Sequence, residues 1–447
     1  MPNVNKSNLS AAGTGAGPSG ESPSAPRRDQ LYWAVWSMLA AFGTYFCMYG
    51  LRKPFTASAY AGSEFYGLDF KTIAVVSQVI GYTISKFLGV KFVAELPPSR
   101  RVPAILLLVA VAEVGLVLFG VLPRPWSVVG LFLNGLPLGM IFGLVLGFLE
   151  GRRVTEALTA GLCASFILAD GVTKSIGAWL LEQGVTEGWM PAAAGAGFLV
   201  PLVVFVFMLG HIPRPDAADV AARSERSAMR RADRRALVAS YFVGLALVIA
   251  MYLVLTVIRS VRADFAPEIW RGLGEVAAPG TFATTEMVVA LGVLGVCGLM
   301  VIVRDNRRAF FGSLVWCAIG VLLVIAGVLL RKWLGAFGFM TMVGLGMYIP
   351  YVTVQTSLCE RLLSTTRAKG NLGFLVSMAD AYGYLGYVVV LLARGVIGRG
   401  DVFGLFITMC LWGSIVCLAC LAGAWVYFAR RLDRNEVSAV REVRVGQ

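Results

Sequence analysis

Apolar runs about as long as a bilayer is thick recur along the chain, and short polar segments separate them. A transmembrane helix needs about 20 such residues. The runs of the first half are 31–50, 70–93, 103–122, 127–149, 157–181 and 190–211. Those of the second half are 237–258, 284–303, 309–330, 334–357, 371–393 and 402–428. The pattern predicts an all-α polytopic membrane protein with twelve spans, numbered here in chain order, in two six-helix halves.

The polar segments predict how the chain is divided. Residues 1–29 are rich in Ser, Gly, Ala and Pro and lack the apolar core of a signal peptide, so they are predicted to be a disordered tail. The first half then covers 30–211, and the second covers 237–429. Between them, 212–236 is the most polar inter-span stretch, a charged linker, and 430–447 forms a C-terminal tail.

Composition agrees with a membrane protein and argues against a soluble one. Of the 447 residues, 57% are apolar and only 15% are charged, whereas a globular domain carries about 25% charged residues. The 51 glycines suit helices that pack closely through small residues. We therefore expect the lipid bilayer to be the main surroundings of this chain.

The net charge of +13 comes mostly from one side of the predicted membrane. If the spans alternate in direction, 26 of the 39 basic residues lie on the same side of the membrane as the termini and the linker, and 11 lie on the other side. Lys86 and Lys174 fall inside spans. Basic loops stay in the cytoplasm, so both termini are predicted to be cytoplasmic, in what we expect to be a bacterial inner membrane. A nucleic-acid partner is not expected.

Residues that could carry enzyme or metal chemistry are scarce. The single histidine, His211, ends span 6 without a nearby nucleophile, and no phosphate-cradling Gly-rich loop is present. All eight cysteines lie in or beside apolar runs, and Cys417 and Cys420 stand alone within one span. We predict no enzyme activity, no cofactor, no metal and no disulfide framework.

Charged residues inside the spans are the candidates for function. A charge at mid-bilayer costs at least about 2.5–3.5 kcal/mol, so each needs a partner or a water-filled cavity. Those within spans are Lys86, Glu113, Asp170, Lys174, Glu286 and Asp380. Arg52 and Arg259 lie 21 and 22 residues after the starts of spans 1 and 7, which are equivalent places in the two halves.

Two equivalent arginines favour an anion site. Parallel repeats would bring Arg52 and Arg259 face to face, and two guanidinium forks match phosphate oxygens well. The alternative is that each arginine merely ends its helix at the membrane interface. Pro54 to Ala61 is mostly apolar, so span 1 could continue and draw Arg52 inward; hydropathy leaves the depth of both arginines open.

Several motifs resemble those of the organophosphate:phosphate antiporters of the major facilitator superfamily. They are Y-F-C-M-Y-G-L-R-K-P-F in span 1, G-Y-T-I-S-K-F-L-G in span 2, R-S-V-R-A-D-F-A-P after span 7 and G-F-L-V-S-M-A-D-A-Y-G-Y-L-G in span 11. The resemblance implies a major facilitator fold, usually monomeric. It also implies substrate-binding roles for the matching residues, which are Tyr45, Tyr49, Arg52, Lys86, Arg259 and Tyr384.

The same resemblance implies charge partners and shows departures. Asp264 would balance the span 7 arginine, and Glu286 matches an acidic residue of span 8. In span 5 Asp170 stands where the family has a histidine, with Lys174 one turn later. This pair could neutralise itself, or an entering substrate could free Lys174 to bind an anion. Glu95 lies in a degenerate superfamily loop signature and is predicted to act as a conformational latch.

The remaining polar residues allow more than one role. Lys86 could attract phosphate or extend to the interface. Asp380 and Glu113 could carry protons or pair with Lys86, and we expect a gating or charge-pair role for Asp380. Gln78, Asn134 and Gln355 are as compatible with helix packing as with function.

Together these features predict a secondary transporter that works by alternating access. The expected partners are a small phosphate-bearing anion and inorganic phosphate taken in exchange. Two alternatives on the same fold are a proton-coupled transporter using Asp170, Glu113 or Asp380, and a transport-inactive sugar-phosphate sensor that signals through its linker.

Overall fold

A bundle of long helices makes up most of the computed structural model, which describes residues 27–61, 64–65, 68–149, 155–213, 231–303, 305–366, 372–397 and 401–445. The first six are α1 (Arg27–Gly50), α2 (Phe70–Glu95), α3 (Pro98–Val121), α4 (Val128–Leu149), α5 (Thr155–Glu182) and α6 (Met190–Gly210). The others are α7 (Arg231–Asp264), α8 (Pro279–Ile302), α9 (Asn306–Leu329), α10 (Arg331–Thr353), α11 (Leu372–Ile397) and α12 (Val402–Val445). All twelve contain spans that are long and apolar enough to cross a membrane, which confirms the predicted all-α class.

Short elements interrupt or connect these helices. A 3-10 helix, Pro54–Ala57, follows α1, and strands β1 (Glu64–Phe65) and β2 (Leu68–Asp69) pair antiparallel before α2. A short helix, Ala266–Gly272, follows α7. After α10 the chain passes through a π turn, Val354–Leu358, and a last helix, Cys359–Thr366.

Several helix ends lie beyond the predicted ones because charged residues continue the helices. Helix α7 ends at Asp264 rather than at 258, and it begins at Arg231, inside the predicted linker. Helix α12 runs on to Val445, through most of the predicted C-terminal tail. Most of the N-terminal tail, 1–26, and of the linker, 214–230, lies outside the described residues.

Each half packs mainly within itself, and two helix pairs join the halves. In the first half α4 contacts α2 and α3, and in the second α7 contacts α12 while α9 contacts α10. Across the boundary α5 packs on α8, and α2 packs on α11. A Cβ atom at Gly171 of α5 would lie 2.4 Å from the carbonyl oxygen of Phe282, so glycine permits this close crossing between the halves.

Exposed tryptophans mark one membrane interface. Trp126, Trp189 and Trp333 lie in or beside the α3–α4, α5–α6 and α9–α10 connections, at the end of the bundle opposite the termini. Tryptophan is enriched where lipid headgroups meet the hydrocarbon core. The apolar spans and this aromatic belt are those of an integral membrane protein.

Candidate functional site

Arg52 lies in the protein interior at a break in the first helix. Helix α1 ends at Gly50, and the chain continues through a buried turn into the 3-10 helix that begins at Pro54. The arginine is only 3% exposed. Span 1 is therefore not capped by Arg52 at the interface, and the apolar stretch that follows does draw this residue inward.

Side-chain amides from two neighbouring helices hold this break. Asn134 Nδ2 donates to the Leu51 carbonyl oxygen at 2.9 Å and to that of Ala112 at 2.9 Å, and Gln78 Nε2 donates to the Arg52 carbonyl oxygen at 2.9 Å. Gln78 also donates to Asn134 Oδ1 at 2.8 Å. Carbonyls released from a membrane helix need such donors, so these amides position Arg52 as well as packing the helices.

We expect Asn134→Leu to weaken anion binding by about tenfold, the equivalent of about 1.4 kcal/mol. The change leaves the Leu51 carbonyl without its donor and loosens the segment that carries Arg52. A matched control is Ser77→Ala, since Ser77 Oγ donates to the Val128 carbonyl oxygen at 2.7 Å within the same α2–α4 pair, away from the break. Phosphate titrations of both variants test this, and equal affinities would contradict it.

Arg259 reaches the same point from the second half. It lies on α7, five residues before that helix ends, and is 4% exposed. Its Nη2 donates to the Tyr384 hydroxyl at 3.2 Å, and Arg52 Nη2 donates to the same oxygen at 3.5 Å. The predicted face-to-face placement of the two arginines is confirmed, and the structure resolves the depth that hydropathy left open.

Aromatic rings surround the arginine pair. The Cζ atom of Arg52 lies 3.8 Å from the Tyr82 ring centroid, and that of Arg259 lies 4.4 Å from the Tyr351 centroid. Arg52 Nη1 donates to the Tyr49 hydroxyl at 3.3 Å, and the Tyr45 ring lies edge-on to that of Tyr49. The predicted tyrosines thus lie together at the arginines, while sequence reasoning missed Tyr82 and Tyr351.

Two further tyrosines were missed, although one carried a signal in the sequence. Tyr252 lies seven residues before Arg259, as Tyr45 lies seven before Arg52, so the repeat alone could have identified it. Tyr348 lies beside Arg259, with its ring centroid 5.8 Å from Cζ. No repeat or motif in the sequence marked the span 10 tyrosines.

Arg52 and Arg259 differ from the other buried cations of the described residues in having no carboxylate partner there. Within that part of the chain, no Asp or Glu oxygen lies within ion-pair distance of either arginine. The Nε atoms of both are buried without a hydrogen-bond partner. Two charged forks facing tyrosine hydroxyls and rings leave donors available for an anion.

On the side of the arginines nearer the termini, Lys86 and Asp380 join the halves. Lys86 Nζ lies 2.8 Å from Asp380 Oδ2, which confirms one of the pairings that the sequence allowed. Asp380 also accepts from the Tyr252 hydroxyl, from the Tyr351 hydroxyl at 3.3 Å and from Gln355 Nε2 at 3.3 Å. This carboxylate is the centre of a buried polar network, and in this conformation it neutralises Lys86.

On the opposite side, two lysines and two aspartates form a neutral cluster. Lys174 is paired with Asp170 along α5, the self-neutralising arrangement that the sequence left open. Lys53 pairs with Asp264 from the other half and lies 3.8 Å from Asp170. Asp264 also accepts from the Tyr387 hydroxyl at 2.9 Å. Asp264 therefore balances Lys53 and not Arg259, which corrects the expectation from the resemblance.

Two more ion pairs extend this layer. Arg262 Nη1 lies 2.7 Å from Glu286 Oε1, and Lys71 Nζ lies 2.8 Å from Glu268 Oε1. Glu286 was predicted as a charge-pair residue, whereas its partner Arg262 was not recognised.

The charge count made from the sequence needs a correction. Five basic residues assigned to the side opposite the termini are buried between the halves: Arg52, Lys53, Lys71, Arg259 and Arg262. Lys71 lies at the start of an apolar run and the other four follow the end of one, so hydropathy places all five near the membrane surface. Without these five residues, the excess of basic residues on the side of the termini over the other side is larger.

The other candidates lie away from the arginines. Glu113 on α3 is half-buried, and its Oε2 is buried without a hydrogen-bond partner. It does not pair with Lys86, which contacts Asp380. His211 is exposed just beyond α6. The side chain of Glu95, at the end of α2, lies outside the described residues, so its latch role stays a prediction.

Solved structures with a similar fold are transporters of the major facilitator superfamily. The xylose transporter XylE from E. coli, in a partially occluded inward-open conformation, gives a TM-score of 0.60 at 13% identity over 88% of this chain and 99% of that one. A D-xylose–proton symporter gives 0.57 at 12% identity, over 87% and 97%. A mutant of the nucleoside transporter NupG gives 0.58 at 13% identity, over 89% and 100%. The chain has the major facilitator fold.

The family follows from a match over most of the sequence. Residues 54–431 match the model of DUF5690, a family of unknown function, and the chain belongs to that family. A sequence comparison with curated proteins finds no match. The resemblance to organophosphate:phosphate antiporters stays a prediction from the motifs.

Proposed function

We propose that the protein is a secondary transporter of a small phosphate-bearing anion, exchanged for inorganic phosphate. One observation carries the proposal: Arg52 and Arg259, from equivalent helices of the two halves, converge on one tyrosine hydroxyl with no carboxylate beside either among the described residues. Burying a guanidinium costs free energy unless an anion neutralises its charge. A phosphate held between the two would contact both halves at once.

Alternating access would then depend on ion pairs at two levels. Lys86–Asp380 joins the halves on the side of the termini, and Lys53–Asp264 with Lys71–Glu268 joins them on the other. Opening the site to either side must separate one set while the other stays closed. In this mechanism Lys86 and Lys174 act mainly through their carboxylate partners, and the arginines hold the anion.

Exchange, rather than net flux, follows from the empty site. Without an anion the two guanidiniums face each other across the Tyr384 hydroxyl, and the repulsion between their like charges pushes the two halves apart. A bound anion draws both halves together and permits the occluded state through which the transporter reorients. Tyr45, Tyr49 and Tyr384 would supply neutral hydrogen bonds to the cargo.

The test is uptake of labelled phosphate into proteoliposomes preloaded with unlabelled phosphate or with one of a panel of organophosphates. We expect uptake only when the vesicles contain a counter-anion. Arg308→Gln is a matched control, because it removes a positive charge from an exposed side chain at the start of α9, away from the site. Saturable phosphate binding without uptake would favour the sensor, and absence of both binding and uptake would refute the proposal.

Proton coupling is the second candidate, since a proton symporter shares the fold. Two of its candidate carboxylates, Asp170 and Asp380, are ion-paired here with Lys174 and Lys86. Glu113 keeps an unpartnered oxygen but lies away from the arginines. Uptake driven by a pH gradient into vesicles without internal anion, and abolished by Glu113→Gln, would support this candidate.

A further inference from the structure

The buried charges between the two halves do not cancel. Five carboxylates and five cations pair off within the described residues; the pairs are Lys53–Asp264, Lys71–Glu268, Lys86–Asp380, Lys174–Asp170 and Arg262–Glu286. Arg52 and Arg259 are left over. The interface therefore carries two positive charges in excess, both on guanidiniums that do not titrate in the physiological range.

The two excess charges lie close enough to share one chemical group. Because the Tyr384 hydroxyl accepts from both arginines, their Nη2 atoms are separated by no more than the two hydrogen-bond lengths, 3.2 and 3.5 Å, laid end to end. A single tetrahedral oxyanion can present oxygens to two forks across such a gap. Anionic groups several bonds apart, as in a dicarboxylate, would not both fit at this point.

No carboxylate among the described residues supplies the missing negative charge. The groups facing the pair are the phenols of Tyr49 from α1, Tyr82 from α2, Tyr351 from α10 and Tyr384 from α11. From α5 the ring of Phe166 closes the same layer, against Tyr49 and Tyr351. The nearest ionised groups already belong to neutral pairs. The net charge of the bound anion therefore determines how much of the positive charge on Arg52 and Arg259 is neutralised.

We infer that the site selects a tetrahedral oxyanion carrying two negative charges, such as a phosphate monoester dianion, over a singly charged one. This rests on the proposed function and specifies the ionisation state of its cargo. A dianion cancels both guanidiniums, whereas a monoanion leaves one uncompensated charge in a poorly solvated layer. A phosphodiester, which has the same tetrahedral centre but only one charge, is then a poor ligand.

Calorimetric titration of the purified full-length chain with methyl phosphate, dimethyl phosphate and sulfate tests this. At pH 7.5 we expect methyl phosphate and sulfate to bind at least about tenfold more tightly than dimethyl phosphate. The second pKa of a phosphate monoester is about 6. Its dianion fraction, and with it the affinity for methyl phosphate, therefore falls about tenfold when the pH drops to 5. Sulfate stays doubly charged at both pH values, so its affinity is expected to stay constant.

Arg259→Gln provides the charge-matched variant. With one excess charge left, the preference for methyl phosphate over dimethyl phosphate should shrink to about threefold or less, and the pH effect should shrink with it. Arg308→Gln, which changes an exposed side chain at the start of α9, should keep the wild-type selectivity.

The failures of the two proposals can be told apart. Equal binding of methyl and dimethyl phosphate, no binding of sulfate, or a loss of sulfate affinity at pH 5 would overturn the dianion selection while leaving an anion site. Absence of binding by all three ligands would overturn the proposed function itself.

Discussion

Exchange of phosphate is expected to fall on the order of 100-fold in Arg52→Ala and in Arg259→Ala. Each arginine offers charge-assisted hydrogen bonds worth about 1.5–3 kcal/mol apiece to a bound oxyanion, and losing one fork removes the contact to an entire half of the protein. Without that contact the anion no longer favours the occluded state. Initial rates of labelled phosphate uptake into phosphate-loaded proteoliposomes measure the effect.

Lysine at either position should recover only part of the activity. An ammonium group restores the charge but not the planar fork that engages two oxygens. Arg308→Gln, which changes the net charge equally, is expected to exchange phosphate at the wild-type rate. Wild-type exchange in either alanine variant would show that the cargo is held elsewhere.

Removing the carboxylate of Asp380 is expected to be strongly destabilising. Asp380→Asn leaves Lys86 charged and buried without its partner, which typically costs about 3–5 kcal/mol. It also disturbs the acceptor shared by Tyr252, Tyr351 and Gln355. A large drop in the apparent melting temperature of the purified protein should report this loss.

The double variant Lys86→Met/Asp380→Leu separates charge imbalance from the loss of other contacts. Removing both charges avoids the unpaired ammonium, so most of the lost stability should return. Phosphate affinity should stay within about threefold of wild type, because Arg52 and Arg259 remain. A double variant as unstable as Asp380→Asn would show that the ion pair is not the reason for the loss.

The twelve spans could be predicted because bilayer thickness imposes length and apolarity on every helix. The equivalence of Arg52 and Arg259 could also be predicted, since the two halves repeat the same distance from helix start to arginine. Their depth could not be predicted. Hydropathy treats a charge as the end of a span, whereas in this protein Arg52 and Arg259 lie in the interior, among tyrosines that other helices of the bundle contribute.

The missed residues share that cause. The sequence alone places Lys53 and Arg262 in loops at the membrane surface. The structure shows them buried, paired with Asp264 and Glu286. Such pairs form between helices that are distant in sequence, and local sequence carries no information about how those helices pack. Span 1 was predicted to end at Gly50, as α1 does, but the amides that hold the break after it, Gln78 and Asn134, could only be assigned once α2, α3 and α4 were in place.

Equilibrium binding of labelled phosphate to the purified protein tests most directly whether the unpaired arginines form an anion site. One saturable phosphate per chain is expected for the wild type and for Arg308→Gln, and none for the double variant Arg52→Gln/Arg259→Gln. Circular dichroism of each variant would verify that the helices are intact. Phosphate binding that persists unchanged in the double variant, or that is absent from the wild type, would contradict an anion site at Arg52 and Arg259.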